Sequence, residues 1–378
     1  DAPVPADWAL LDVTTNTDMA PGDLKAEVDR MLAGDWGVVD AADGFLLLHK
    51  GAAQGAAEKT IPDEFYTFTR MTEEPSHADS VTYGQRLAGL TADDWPRWRQ
   101  TKLVLDWQVG EGFDPATGAP SLEVVTSGGE TVATLGTASP PALVWYPPAR
   151  WQQGETVRVT TLPMTLPRVF AVRATGADAA HPAVFVRGDD GKLEQFGRSD
   201  GLSNGGGNMA AATEVREALG PTRQAGPVSV ALPSGEALQV RGSVPEQAVT
   251  GGTLDLWLEW NLAPEQTEWP PELAVFVHLR RNGETVAQAD GAPTWFGRPA
   301  PVEEGGVLAD WRQLAANCPA GETCQVVIGV YNPQTGARLP LLDAGGSPLG
   351  DEWVVGAVQV KPTPPPDQAC ALVGACDF

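Results

Sequence analysis

Apolar and polar residues alternate in several segments of the chain beyond residue 80, with the period of two that marks half-buried β-strands. Every second position of Leu103–Trp107 is apolar, and Leu254–Trp260 repeats the pattern over a longer run. Turn signals separate these runs, such as Asp114–Gly118 and Asn332–Gly336, in which Pro fixes φ and Gly accepts a positive φ. About seven short strands over about 130 residues predict an antiparallel β-sandwich.

The first 50 residues follow a different pattern. A helix of about three turns from Pro21 would carry Leu24, Val28, Met31 and Leu32 on one apolar face. Short apolar strands are expected before and after this helix, at 8–13, 37–40 and 44–49. The pattern therefore predicts a small β-α-β-β unit, which we expect to pack against a neighbouring domain because it is too small to have a large core.

An internal repeat covers most of the remaining chain. Gly129–Ala133 is identical in sequence to Gly283–Ala287. Three further pairs of segments match in the same order at nearly the same offset: 84–87 with 235–238, 103–107 with 256–260, and 169–172 with 326–330. Four ordered matches indicate two copies of one domain.

These patterns together predict a mainly β fold, in which the small β-α-β-β unit is followed by two tandem antiparallel β-sandwiches of the immunoglobulin-like kind. The predicted organisation is residues 1–50 for the small unit, 51–77 for a connector, 78–220 and 225–362 for the two sandwiches, and 363–378 for a Pro-rich tail with a cysteine pair.

Composition agrees with a folded protein that has many turns. The chain contains 42 Gly and 33 Pro, and 42% of its residues are apolar, which is enough for hydrophobic cores. Its net charge of -24 argues against a nucleic-acid partner and against an anionic membrane surface, because both require a positive face. No apolar run is long enough to span a bilayer, so we expect no membrane span in this chain.

The four cysteines form two local pairs, Cys318 with Cys324 and Cys370 with Cys376. Neither pair has the spacing of a zinc or thioredoxin motif, and the histidines are scattered, so no metal or cofactor is predicted. Two local disulfides in an oxidising compartment are the favoured interpretation, and four free thiols are the alternative. Spacing does not choose among the three possible connectivities, and the tail pair could also bridge to another chain.

Candidate chemistry is confined to two aromatic loops. The chain lacks the common catalytic motifs, and no pair of carboxylates stands out among its 49 acidic residues, so we predict that it is not an enzyme. Trp145, Tyr146 and Trp151 surround a Pro-Pro segment, and Trp295 and Phe296 precede Gly-Arg-Pro. Exposed rings of this kind stack on sugars or anchor protein interfaces. The alternative is that they close the open end of each sandwich.

Several segments carry a resemblance to a known family. They are 10–13, 37–40 and 44–48 in the first unit, 62–66, 98–101 and 143–147 further along the chain, and 276–279, 286–290 and 329–340 in the second sandwich. They resemble the extracytoplasmic β-sandwich portion of uncharacterised, multi-pass, glycosyltransferase-like bacterial membrane proteins. The resemblance covers most of the chain and implies an extracytoplasmic location. Its motifs are structural and imply no catalytic residues, and the membrane helices of those proteins are missing from this sequence.

We therefore expect a secreted or cell-surface, non-catalytic structural protein, a subunit that assembles with copies of itself into a filament or a surface layer. A carbohydrate-binding ectodomain, with glycans as partners of the aromatic loops, is the first alternative. The extracytoplasmic part of a glycosyltransferase-like membrane protein and a hydrolase with an unrecognised acidic pair are the others.

Overall fold

The structure is a computed structural model, which describes residues 7–16, 18–52, 57–71, 85–95, 100–116, 121–136, 138–174, 182–187, 193–196, 208–303 and 305–363. A small N-terminal unit precedes two β-sandwiches along the chain, and the predicted mainly β fold is confirmed. In this described part, no helix is both long and apolar enough to cross a membrane. Residues 364–378 of the predicted Pro-rich tail, including Cys370 and Cys376, lie outside the described residues.

The N-terminal unit is an antiparallel sheet covered on one face by a helix. Its elements are β1 (Trp8–Asp12), α1 (Pro21–Ala33), β2 (Trp36–Ala42) and β3 (Phe45–Lys50). β3 lies between β1 and β2. Leu24, Val28 and Met31 are buried, as the helical spacing predicts, and Pro21 occupies the first turn, where a missing N–H costs nothing.

The connector adds two short 3₁₀ helices, Ala57–Lys59 and Asp63–Phe68. Phe65 and Tyr66 on the second of these are buried in the same core as Leu46 and Val28. The core of the N-terminal unit is therefore completed by residues that follow it in the sequence.

The first sandwich contains two sheets. Its elements are β4 (Arg70–Met71), β5 (Gln85–Trp95), β6 (Gln100–Val109), β7 (Leu122–Thr126), β8 (Thr131–Leu135), α2 (Pro141–Trp145), β9 (Thr156–Thr160), β10 (Val169–Ala174), β11 (Ala183–Arg187), β12 (Leu193–Phe196) and α3 (Asn208–Leu219). The strand orders are β4-β9-β6-β5 and β12-β11-β10-β7-β8. α3 follows the last strand of the first sandwich and was not predicted.

The second sandwich repeats this plan. Its elements are β13 (Thr222–Ala231), β14 (Ala237–Pro245), β15 (Gln247–Val249), β16 (Thr253–Asn261), β17 (Ala274–Arg281), β18 (Glu284–Gln288), β19 (Thr294–Trp295), β20 (Arg298–Pro299), β21 (Val307–Ala315), β22 (Thr323–Tyr331), β23 (Leu341–Leu342), β24 (Pro348–Gly350) and β25 (Trp353–Lys361). Its two main sheets have the orders β21-β16-β14-β13-β23-β24 and β15-β25-β22-β17-β18.

The two sandwiches share a strand order. The antiparallel pairings β5–β6, β6–β9, β7–β8, β7–β10 and β10–β11 correspond to β14–β16, β16–β21, β17–β18, β17–β22 and β22–β25. The matched segments of the sequence lie on corresponding strands, such as 103–107 on β6 and 256–260 on β16.

One sheet of each sandwich is apolar on both faces. On β11, Ala183 and Phe185 point into the core of the first sandwich, whereas Val184 and Val186 point outward and are also buried. On β21, Leu308 points inward, and the outward-pointing Trp311 is buried as well. Both outer faces therefore require a covering layer, because exposing so much apolar surface would be unfavourable.

Cys318 and Cys324 form a disulfide that closes the loop between β21 and β22, as the sequence predicts. Replacing both with Ala should lower the free energy of unfolding by about 2 kcal/mol, because the bond restricts the unfolded chain. Urea denaturation measures this change. A reducing agent should lower the urea midpoint of the wild type more than that of the double variant. An equal effect on both proteins would contradict the prediction.

The junctions between units as the candidate functional site

The first aromatic loop lies at the junction between the N-terminal unit and the first sandwich. Its three predicted rings, Trp145, Tyr146 and Trp151, are all buried. Trp145 belongs to the core of the N-terminal unit, where its ring meets that of Phe65 edge to face, with centroids 5.1 Å apart. Tyr146 and Trp151 belong to the core of the first sandwich. A single loop therefore supplies rings to both cores and joins the two units.

A polar network surrounds the hydroxyl of Tyr146 at this junction. The hydroxyl donates to the Glu155 carboxylate at 2.8 Å, and Arg70 Nε donates to the same carboxylate at 3.1 Å. The Arg150 guanidinium lies 4.6 Å from the ring centre of Tyr66 and 5.1 Å from that of Tyr146. Burial raises the pKa of Tyr146 to about 12, and the hydrogen bond to Glu155 adds to the rise.

The second aromatic loop lies between the two sandwiches. β19 and β20 form a hairpin whose tip carries Trp295 and Phe296, both buried. The ring of Trp311 lies 5.8 Å from that of Trp295 and 5.1 Å from that of Phe296, measured between centroids. The same apolar cluster includes residues from the outer face of the first sandwich and from α3: Val125, Ala171, Val184, Val186, Ala211, Ala212 and Val215. The hairpin and α3 thus form the covering layer that both outer faces require.

A direct backbone contact fixes the hairpin against the first sandwich. Gly129, in the β7–β8 turn, lies against Gly297 so closely that a Cβ on either glycine would clash with the Cα of the other. Phe296 has a φ of 47°, in the left-handed region that costs a residue with a side chain on the order of 1 kcal/mol. Arg173 Nη1 donates to the Phe296 carbonyl at 2.8 Å and holds this conformation.

Charged and polar side chains link the same surfaces. Glu123 of the first sandwich accepts from Arg173 Nε at 3.0 Å and from Arg298 Nη2 of the hairpin at 3.4 Å. Gln313 Nε2 of β21 donates to the Ser127 hydroxyl in the first sandwich. These contacts join β7 and the turn after it to the hairpin and to β21.

A buried ion pair positions the base of the hairpin. Arg312 Nε donates to the Asp310 carboxylate at 2.7 Å, and the backbone N–H of Thr294 donates to it at 2.8 Å. Arg312 Nη2 also donates to the carbonyls of Gly291 and Ala292, at 3.0 and 2.7 Å. Burial raises the pKa of Asp310, and the charge of Arg312 opposes that rise. The pair holds the segment that leads into the hairpin.

A shallow cleft of about 250 Å³ opens beside α3. Its polar lining includes Arg216, whose Nη1 donates to the Ser243 hydroxyl at 3.3 Å, and the cross-strand pair Arg241 and Glu259, with 3.8 Å between their charged atoms. The charges of both signs face one another within the cleft. The sequence analysis did not single out any of these residues.

The structure divides the five predicted ligand-contact residues between the two junctions. Trp145, Tyr146 and Trp151 lie at one junction, and Trp295 and Phe296 lie at the other. Because all five are buried, none presents a ring face to solvent. Trp145, Trp295 and Phe296 fill junctions between units, whereas Tyr146 and Trp151 pack in the core of the first sandwich.

The sequence analysis missed the glycines and the arginine that seat the second loop. Gly129 was noted only as part of a repeated pentapeptide, and Arg173 was not noted. In the described residues, no group of three or more His, Cys, Asp or Glu side chains could hold a metal ion.

Replacing Gly129 with Ala should weaken the junction between the sandwiches. Gly129 and Gly283 occupy the same place in the repeated pentapeptide and have nearly equal φ angles, but a Cβ on Gly283 meets no atom within 4 Å. We expect Gly129→Ala to lower the free energy of unfolding by about 1–3 kcal/mol more than Gly283→Ala, because only Gly129 is packed against a backbone. Urea denaturation provides the comparison, and equal losses would show that the contact contributes nothing.

Stability should depend on the ionisation of Tyr146 at high pH. Its pKa is about 12 in the folded chain, whereas an unfolded tyrosine ionises near pH 10, so the unfolded chain loses this proton first. The stabilisation is fully present below about pH 10 and is lost as pH rises toward 12. Between about pH 9 and pH 11, the wild type should lose unfolding free energy faster than Tyr146→Phe.

Urea denaturation at each pH tests this expectation, with Tyr331→Phe as the control for loss of a hydroxyl elsewhere. The same pH dependence in the wild type and in Tyr146→Phe would contradict it.

Comparison with known proteins assigns no family to this architecture. No model of a protein family matches the chain, and no curated protein matches it. Among solved structures, the crystal structure of the major pilin subunit of Bacillus cereus matches with 9% sequence identity and a TM-score of 0.19. The match covers 65% of this chain and 65% of the pilin chain. A TM-score of this size supports no statement about the function of this protein.

Proposed function

We propose that the protein is an extracytoplasmic, non-catalytic structural subunit that assembles with copies of itself. The observation that carries this proposal is the use of both aromatic loops as joints between consecutive units. A subunit of an assembly must keep its binding surfaces at fixed distances. Buried rings, a glycine-to-glycine backbone contact and charged hydrogen bonds at the joints meet that requirement.

The disulfide supports the proposed location. Cys318 and Cys324 are bonded to each other within the core of the second sandwich, and such bonds persist in oxidising compartments outside the cytoplasm. Outside the cell or on its surface, a local disulfide and fixed joints would both increase the resistance of the subunit to unfolding.

A second placement, as the extracytoplasmic part of a glycosyltransferase-like membrane protein, is compatible with the same architecture. The order of a small α/β unit followed by two sandwiches agrees with the segments that resemble such proteins. In that placement the chain would still act as a rigid structural portion, and the sites of chemistry would lie elsewhere.

Assembly is the property to measure. Size-exclusion chromatography with light scattering, together with negative-stain electron microscopy, should show oligomers, filaments or a lattice whose amount grows with protein concentration. The net charge of -24 opposes association of identical chains, so higher salt should promote it by screening that repulsion. A protein that remains monomeric at every concentration and salt level would contradict the proposal.

A further inference from the structure

Exposed apolar side chains are concentrated on the outer face of the N-terminal sheet. Leu10 is 70% exposed, Trp8 54% and Phe45 44%. Strand register places Leu10 opposite Leu47, and Trp8 opposite His49, whose rings are 4.2 Å apart. Contiguous exposed apolar surface of this kind in a folded protein usually marks a contact site.

The strand β1 also lies at an edge of its sheet. Among the described residues it pairs only with β3. Lys50 N donates to the Asp7 carbonyl and Val13 N donates to the Gly44 carbonyl, so Asp7 and Val13 direct their backbone groups toward the rest of the sheet. Backbone direction alternates along an antiparallel strand. The N–H and C=O groups of Trp8, Leu10 and Asp12 therefore point away from β3, toward the open edge.

We propose that β1 pairs antiparallel with β1 of a second copy of this chain, about a twofold axis beside Leu10. The proposal rests on the proposed self-assembly and names the surface through which it occurs. In this register Leu10 lies opposite Leu10 of the second copy, and Trp8 lies opposite Asp12. The two sheets become one continuous sheet with the exposed apolar side chains on one face.

The open edge is complementary to itself. The residues whose backbone groups point outward are Trp8, Leu10 and Asp12, and they are spaced symmetrically about Leu10. An antiparallel partner with the same sequence therefore meets each outward donor with an outward acceptor. Strand pairing of this kind is a common route to association through an unprotected edge.

The charge on the strand favours the same register. Asp12 is the one charged residue of Trp8–Asp12. Parallel pairing would place the two Asp12 carboxylates side by side, whereas the antiparallel register separates them and sets each beside a Trp8 ring. In a protein of charge -24, a contact that brings apolar side chains together without pairing carboxylates is the arrangement that can overcome repulsion between copies.

A proline variant tests the pairing directly. Leu10→Pro removes an outward N–H without removing a β1–β3 hydrogen bond, and Pro is tolerated on edge strands. Analytical ultracentrifugation of the full chain should show a dissociation constant raised at least about tenfold, since both hydrogen bonds between the two Leu10 residues and some apolar contact are lost. Circular dichroism should show an unchanged fold. Phe45→Ser is the matched control: it removes an exposed ring from the same face, but from the central strand, and should leave association nearly unchanged.

A charge pair tests the register and remains informative if Leu10→Pro fails to fold. Leu10→Lys and Leu10→Glu should each abolish association, because residue 10 faces itself and like charges would meet. Mixing the two variants should restore a heterodimer. Association of either variant alone at the wild-type level, or a mixture that remains monomeric, would overturn the register.

Two results separate this proposal from the proposed function. If the wild-type chain associates and Leu10→Pro associates equally well, self-assembly stands and the β1 edge is wrong. If Phe45→Ser abolishes association as Leu10→Pro does, the two copies pack through their sheet faces and the strand pairing is wrong. A wild-type chain that never associates would contradict both proposals.

Discussion

The rest of the structure depends on the burial of one hairpin between two sheets that are apolar on both faces. A sandwich ordinarily exposes the outer faces of its sheets, and polar residues occupy them. Here Val184 and Val186 on one side and Trp257 and Trp311 on the other are outward and buried. Trp295, Phe296 and α3 fill the space between them. Removing that layer would expose the apolar faces of both sandwiches, so neither sandwich is complete without the other.

Polar contacts and one close backbone contact decide how this apolar layer is arranged. Apolar burial has little directional preference and would allow the sandwiches to slide over one another. The Arg173 bond to the Phe296 carbonyl, the contact of Gly129 with Gly297 and the buried pair of Asp310 with Arg312 each have one acceptable geometry. Buried ion pairs contribute little net stability, and fixing an orientation is the role that suits them here.

Sequence patterns predicted the strands and the repeat better than the joints. Alternation identified strands such as β6 and β16 because one face of each meets a core. The resulting pattern of apolar positions can be recognised in the local sequence. Gly129 and Gly283 lie in identical pentapeptides, yet only Gly129 touches another backbone, so the difference depends on tertiary structure and no local pattern contains it. One usable signal was overlooked: Ala183–Val186 is apolar throughout, which is typical of a strand covered on both faces.

The aromatic loops show why the presence of aromatic residues in a loop did not distinguish a ligand-binding role from a packing role. A Trp beside Pro and Gly has the same local sequence whether its loop meets solvent or a neighbouring unit. Both loops here meet a neighbouring unit, so the chain covers the apolar surfaces at its joints with its own rings. The outer face of the N-terminal sheet differs, because its Trp8 and Leu10 side chains are exposed within the described part of the chain. A partner strand that pairs at the edge of this sheet must place apolar side chains beside Leu10 and bring little negative charge, and the β1 strand itself meets both conditions.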